Sequence, residues 1–177
     1  MLDAMTTTTF PTDSTPTIFR PDPTTVRRAI GRRSVATLAT VSAAGRPHAA
    51  TVLYQLVDDA LFVSTSRDSR KARNVADRGV AAVVIAVRRL PVGPPASIQF
   101  QSAADVHAAD DPELARLASA GRLGRITSHG ELDLAGGCFL RLSLPPRIVT
   151  YGLGMSLWRL MRTPLDAAGE AVLRPAP

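Results

Sequence analysis

Cysteine occurs once in this 177-residue chain, at Cys138. An internal disulfide is therefore impossible, and the cytoplasm is the expected compartment. Lysine is as scarce. Of 21 basic residues one is Lys, Lys71, and the other 20 are Arg. Aromatic residues make up 5%, which leaves few stacking platforms for nucleic-acid bases. No apolar run approaches the roughly 20 residues of a membrane span, so no membrane partner is expected. Residues Met1 to Phe10 lack the basic start and apolar stretch of a secretory signal. The usual catalytic signatures are missing: there is no GxSxG, no HExxH and no Walker loop. His48, His107 and His129 read as ordinary strand or loop residues. With one Cys they fall at no usual zinc spacing, so no metal is expected. The acidic pairs Asp110-Asp111 and Glu131/Asp133 are better explained as helix caps and turns than as catalytic dyads. No catalytic residue can be named from these patterns.

What remains is a globular composition, 45% hydrophobic and 20% charged, in a length that suits one domain plus tails. The net charge is +6 and the pI 10.9. Arg forks suit phosphates and carboxylates, so anionic partners fit the charge. The arginines are spread from Arg20 to Arg174 rather than gathered on one face, which argues against a nucleic-acid surface.

Residues 1–22, rich in Thr and Pro, read as a flexible tail, and residues 164–177 as a C-terminal one. The domain between them spans 23–163. A short helix capped by Thr24 or Thr25 ends near Gly31. Ser34 to Val41 and Pro47 to Val57 are strands around the turn SAAGR, and Ala60 to Thr65 is a third, making a meander. A helix capped by Asp68 follows. VAAVVIAV at 80–87 lacks alternation and predicts a strand buried on both faces. Ala96 to His107 is another strand, Asp110 opens a helix, and Cys138 to Tyr151 is strand material broken at Pro145-Pro146. Met155 to Met161 reads as an amphipathic helix. About six strands without βαβ alternation predict a mainly β fold: a closed antiparallel barrel with peripheral helices.

The segment FVSTSRDSRKARNV, residues 62–75, concentrates the chemistry. A strand ends in hydroxyls and a helix begins at Ser69, Arg70 and Lys71. A helix N-terminus presents free N–H groups and a positive dipole end. Hydroxyls, an Arg fork and a Lys point charge there make a phosphate cradle. The competing reading is a helix with a solvated basic face of Arg67, Arg70 and Arg73.

Residues 36–87 resemble the split β-barrel of the pyridoxamine 5′-phosphate oxidase-like flavoproteins. The resemblance rests on Ala39-Thr40-Val41, Gly45-Arg46-Pro47, Ser64-Thr65 and Lys71-Ala72-Arg73-Asn74-Val75 in that order. A looser match runs from Ala96 to Asp105. Residues 140–154 are similar to the closing strand of the branch that uses the deazaflavin F420. The resemblance implies a six-stranded antiparallel split barrel, a homodimer, and two non-covalent cofactor sites at the subunit interface. The cofactor would be FMN or F420. Ser64, Thr65, Ser69, Arg70 and Lys71 would hold its phosphate. Thr51, Val52, Leu53 and Tyr54 would line the ring through backbone and side chain. The pattern also departs from true vitamin B6 oxidases. Their basic residue early in the second strand and Lys at its end are replaced by Ala50 and Gln55, and their C-terminal substrate Arg motif is not visible.

The implied function is a flavin- or deazaflavin-dependent oxidoreductase passing a hydride between cofactor and a small organic substrate. The alternatives are a non-catalytic FMN/F420 carrier or sensor on the same fold and, more remotely, a basic nucleic-acid-binding protein.

Overall fold

The computed structural model describes residues 19–88, 96–130 and 132–173. Residues 1–18 of the expected N-terminal tail and 174–177 of the C-terminal one lie outside them. Asp22 caps the first helix, α1 (Pro23–Arg32), its carboxylate accepting the Thr25 N–H at 3.0 Å. Pro23 sits in the first turn, where its missing N–H costs nothing. The cap is therefore Asp22 and not Thr24 or Thr25, and the helix runs past Gly31. Val26 and Ile30, one turn apart, are its buried face.

β1 (Val35–Val41) and β2 (Pro47–Leu53) form the expected hairpin. The second strand does not continue to Val57. It breaks at Tyr54, whose ring turns fully into the core and whose hydroxyl donates to Ile30 O at 2.7 Å. β3 (Gln55–Val57) is thus a separate strand, paired with β4 (Ala60–Ser66). The expected meander becomes two hairpins in different parts of the sheet. α2 (Arg70–Arg78) ends in a left-handed glycine, Gly79 at φ 66°, whose N–H reaches Val75 O.

β5 (Val80–Val87) and β6 (Ala96–Ala108) follow, then α3 (Pro112–Ser119), α4 (Gly124–Thr127), β7 (Gly137–Ser143) and β8 (Arg147–Tyr151). The α3 cap is Asp111 rather than Asp110, because Asp111 Oδ1 reaches the Glu113 N–H at 2.8 Å. The strand path is β2-β1-β5-β6-β7-β4-β3, with β8 branching from β6, and every ladder is antiparallel. The fold is mainly β, an antiparallel sheet curled into a half-barrel. Its ends, β2 and β3, are joined by the chain at Tyr54 and not by a ladder, so no closed ring of strands is formed among the described residues.

β5 also departs from expectation. Ala81, Val83, Ile85 and Val87 point inward, but Val80 is 56% and Val84 39% exposed. Its outer face is apolar without being covered. The inner core holds Leu38, Val83, Ile85, Ile98 and Leu140. A second cluster, with Phe62, Leu114, Leu123 and Phe139, fills the space between β4, β7 and the helices α3 and α4.

α5 (Leu157–Arg162), shorter than expected, buries Leu160 but leaves Trp158 exposed with the Arg162 guanidinium over its ring. Residues 164–173 are not a tail. Pro164–Ala167 is a 3₁₀ turn, and β9 (Ala168–Val172) pairs with β8. Ala171 and Leu173 are buried, so the domain extends to Leu173. The nine strands among the described residues, against about six expected, come from the break at Tyr54, the break at Pro145-Pro146 and β9. Among the described residues no helix is long and apolar enough to cross a membrane.

Gly169 lets the chain's start meet its end. Phe19 N–H reaches Ala168 O at 3.3 Å and Glu170 N–H reaches Phe19 O at 3.0 Å. A Cβ at Gly169 would stand 2.7 Å from Phe19 O and 2.8 Å from Thr150 Oγ1. Backbone must therefore move in Gly169→Ala, at a cost of about 1–3 kcal/mol. The melting temperature should fall by roughly 3–10 °C in a thermal scan. An unchanged value would show that β9 does not dock as described.

Candidate functional site

The site is built where β4 runs into α2. Ser69 is the N-cap, its Oγ accepting the Ala72 N–H at 3.3 Å, in place of the expected Asp68. The Thr65 hydroxyl donates to the same oxygen at 3.2 Å. A hydroxyl has one donor and two acceptor positions. The N–H groups of Arg70 and Lys71 have no intrahelical partner, as helix geometry requires of a first turn. No acidic residue occupies that turn, so the positive dipole end is not neutralised from within.

The helix is pinned in place by a buried hydrogen bond from Asn74 Nδ2 to Thr40 Oγ1 at 2.9 Å, which ties α2 to β1. Lys71 is half-buried, while Arg67 and Arg70 are exposed. Cys138, paired with Thr65 across β4 and β7, registers both cations. Burial pushes its thiol pKa up, and the charges of Arg67 and Lys71 pull it partly back. The positive field thus reaches the end of β4 itself.

Thr65 and Ser69 meet through their hydroxyls, and Arg70 and Lys71 follow in the first turn of α2. Ser64 does not join them with its side chain. Opposed residues of a strand pair share a face, which places Thr65 with Cys138 toward the inner core and Ser64 with Phe139 on the α3 side.

The ring-lining candidates also divide. Val52 is buried and Tyr54 fully so. The expected lining role of the Tyr54 side chain does not hold, because its hydroxyl is spent on Ile30 O. Burial pushes its pKa far up, against the opposing charges of Arg125 and Arg33. Thr51 and Leu53 lie on the outer face. Their backbone faces outward as well. Tyr54 N–H donates to Ser34 O at 2.8 Å, so alternate residues, Val52 and Tyr54, bond toward β1. Thr51 and Leu53 then direct N–H and C=O to the open edge, since β2 pairs only with β1 among the described residues. Near the other end of β1 and β5 lies a cleft of about 340 Å³ with Thr40, Val41, Pro47, Ala82, Gln101 and Ser102 in its wall.

Other arginines are engaged elsewhere. Arg122 forks onto Asp58 at 2.6 and 3.1 Å, which holds the Asp58 carboxyl below its usual range. Arg125 Nη1 donates to Arg33 O, and its N–H to Gln55 Oε1. Arg147 pairs with Glu170. The fold also gathers one cluster that sequence spacing hides. His107 on β6 meets Asp111 and Glu113 at the start of α3, with ligand-type atoms within 4.8 Å. His107 Nδ1 lies 2.8 Å from Asp111 Oδ2 and, as the largest influence, lowers the Asp111 pKa. Both Asp111 oxygens are thereby used to seat α3.

A phosphate fits the chemistry of these donors: a half-buried lysine, a serine hydroxyl and two amides without an intrahelical partner. A planar ring with acceptors and donors along one side fits the open edge of β2. Residues 23–133 match the pyridoxamine 5′-phosphate oxidase family model, and the chain belongs to that family. No curated protein matches it. Among solved structures, it is similar to HutZ, the heme storage protein of Vibrio cholerae, at 21% identity and TM-score 0.62. That likeness covers 77% of this chain and 99% of HutZ. A heme-binding protein of Mycobacterium smegmatis shares 22% identity at TM-score 0.63, over 78% of this chain and 57% of that one. A FAD-binding protein of Mesorhizobium loti shares 14% at TM-score 0.56, over 70% and 88%. These likenesses show the fold.

Proposed function

We propose that this chain is a flavin- or deazaflavin-dependent oxidoreductase that works as a homodimer. The observation that supports the reading is the β4–α2 turn, where the Ser69 N-cap, first-turn amides without an intrahelical partner and the half-buried Lys71 follow one another. Lys71 and Arg70 hold the cofactor phosphate. Thr51 and Leu53 offer main-chain groups to the polar edge of the ring. When bound, the ring supplies hydride transfer to or from a small organic substrate. The protein's part is to fix the ring, tune it by hydrogen bonds and exclude water. A second copy covers the outer sheet face, where Val35, Val41, Leu53, Val80 and Val84 stand exposed. A single buried thiol suits the cytoplasm.

The walls of the 340 Å³ cleft carry no acid or base. That favours, as a second reading, a carrier or sensor that binds the cofactor without turnover. The two separate when reduced cofactor is offered with a panel of quinone, enone and nitro acceptors: turnover of any of them removes the carrier.

The first experiment is a fluorescence titration of the purified protein with FMN and with F420, alongside an absorbance titration with heme. Heme proteins share the fold, but heme iron takes an axial side chain such as His. The cradle contains none. Saturable binding of FMN or F420 is expected. Heme binding without either flavin overturns the reading.

A further inference from the structure

Spacing along the chain gives no zinc set, but the fold makes a mixed ligand group. His107, near the end of β6, meets Asp111 and Glu113 at the start of α3, and one ligand atom from each lies within 4.8 Å of the others. These side chains are not freely solvated. His107 is 21% and Asp111 27% exposed, and Glu113 is half-buried. Glu113 is the unspent member. Its N–H donates to Asp111 Oδ1, while its carboxylate has neither a hydrogen bond nor an ion pair among the described residues. Ala109 and Asp110, between His107 and Asp111, wall an open cleft of about 640 Å³ beside Arg67 and Asp133. Two carboxylates against one Arg make this a negative place on a chain of net charge +6, and such a field draws cations.

We propose that His107 Nδ1, Asp111 Oδ2 and the Glu113 carboxylate bind a divalent transition-metal ion such as zinc. Ligand atoms bonded to one ion at about 2.0–2.2 Å stand roughly 2.9–3.5 Å apart. Nδ1 and Oδ2 are already 2.8 Å apart, so the ion takes the place of the proton between them, and a rotation of the Glu113 side chain closes the set. The ring proton moves to Nε2, which leaves a lone pair on Nδ1. Asp111 Oδ1 keeps the Glu113 N–H, so α3 stays capped. The imidazole favours zinc over Ca²⁺ and Mg²⁺, which prefer oxygen ligands alone. The two carboxylates balance the charge of the ion. Held between β6 and α3, the ion fastens the helix over the cluster of Phe62, Leu114 and Phe139.

The test is isothermal calorimetry of the full-length, EDTA-stripped protein with Zn²⁺ alone. No flavin is added, so the outcome does not depend on the cradle. One ion should bind per chain, about tenfold or more tighter than Ca²⁺. Glu113→Gln and His107→Gln should each weaken Zn²⁺ binding by about tenfold or more. At roughly a hundredfold excess of Zn²⁺ over its dissociation constant, the melting temperature of the parent should rise by about 5–10 °C. That of Glu113→Gln should stay near its value in EDTA, where parent and variant melt alike. No saturable Zn²⁺ binding, Ca²⁺ bound as tightly as Zn²⁺, or an affinity left unchanged by either substitution overturns the site.

Discussion

Lys71→Ala should weaken cofactor binding by about 10–150-fold, the equivalent of losing roughly 1.5–3 kcal/mol for a hydrogen bond to a charged group. The size of the effect follows from its surroundings. Lys71 is half-buried at the second position of α2, next to amides that have no helical partner. A point charge there acts on a phosphate through little intervening water. Arg73, exposed on the same helix two positions later, is the control. Its charge is screened at ordinary ionic strength, and Arg73→Ala should change the dissociation constant by no more than about threefold. Neither substitution touches the core, so both variants should melt with the parent. An unchanged dissociation constant in Lys71→Ala would remove the phosphate from this cradle.

Val84→Arg should convert a dimer into a monomer of 18.8 kDa, read by light scattering on a sizing column. Val84 lies within a row that crosses six strands. Thr51 faces Thr37, Thr37 faces Val84, Val84 faces Gln99, Gln99 faces Val149, and Val149 faces Glu170. Val84 is 39% and Val149 53% exposed. An Arg in that row costs little in a single copy, because it points to water. Against a second copy's apolar face it would be a desolvated charge without a partner, which costs several kcal/mol. Cofactor affinity should fall with dimerisation if the second copy completes the ring site. A parent protein that is monomeric at tens of micromolar would show that the exposed valines serve something other than self-association.

Much of this molecule was legible in its residues. Gly45 between two β-rich runs marked the first hairpin, and Gly79 marked the end of α2, because only glycine takes their positive φ at no cost. The hydroxyl-rich end of β4 followed by Ser-Arg-Lys marked the β4–α2 turn, because chain-local geometry decides how a strand feeds a helix. Where two neighbouring residues compete for a cap, local pattern was too coarse. Asp68 and Ser69, or Asp110 and Asp111, differ by one position, and the winner is whichever side chain reaches the N2 or N3 amide.

Other features depend on partners distant in sequence. Tyr54 breaks the second strand because Ile30 O waits for its hydroxyl 24 residues away. β9 is five short residues that read as tail until β8 and the Phe19 main chain supply its ladder. The apolar run of β5 could not say by itself which of its faces the same chain would cover.

The sequence alone thus determined the mainly β class, the family pattern and the turn from β4 into α2. Each of these rests on contacts between near neighbours or on composition. Tertiary structure decided the division of the sheet at Tyr54, the opposite facing of Ser64 and Thr65, the open edge of β2 and the cleft beside Arg67. Those features exist only where segments far apart in the chain meet, and the free energy that selects them belongs to the packed assembly rather than to any one stretch of residues.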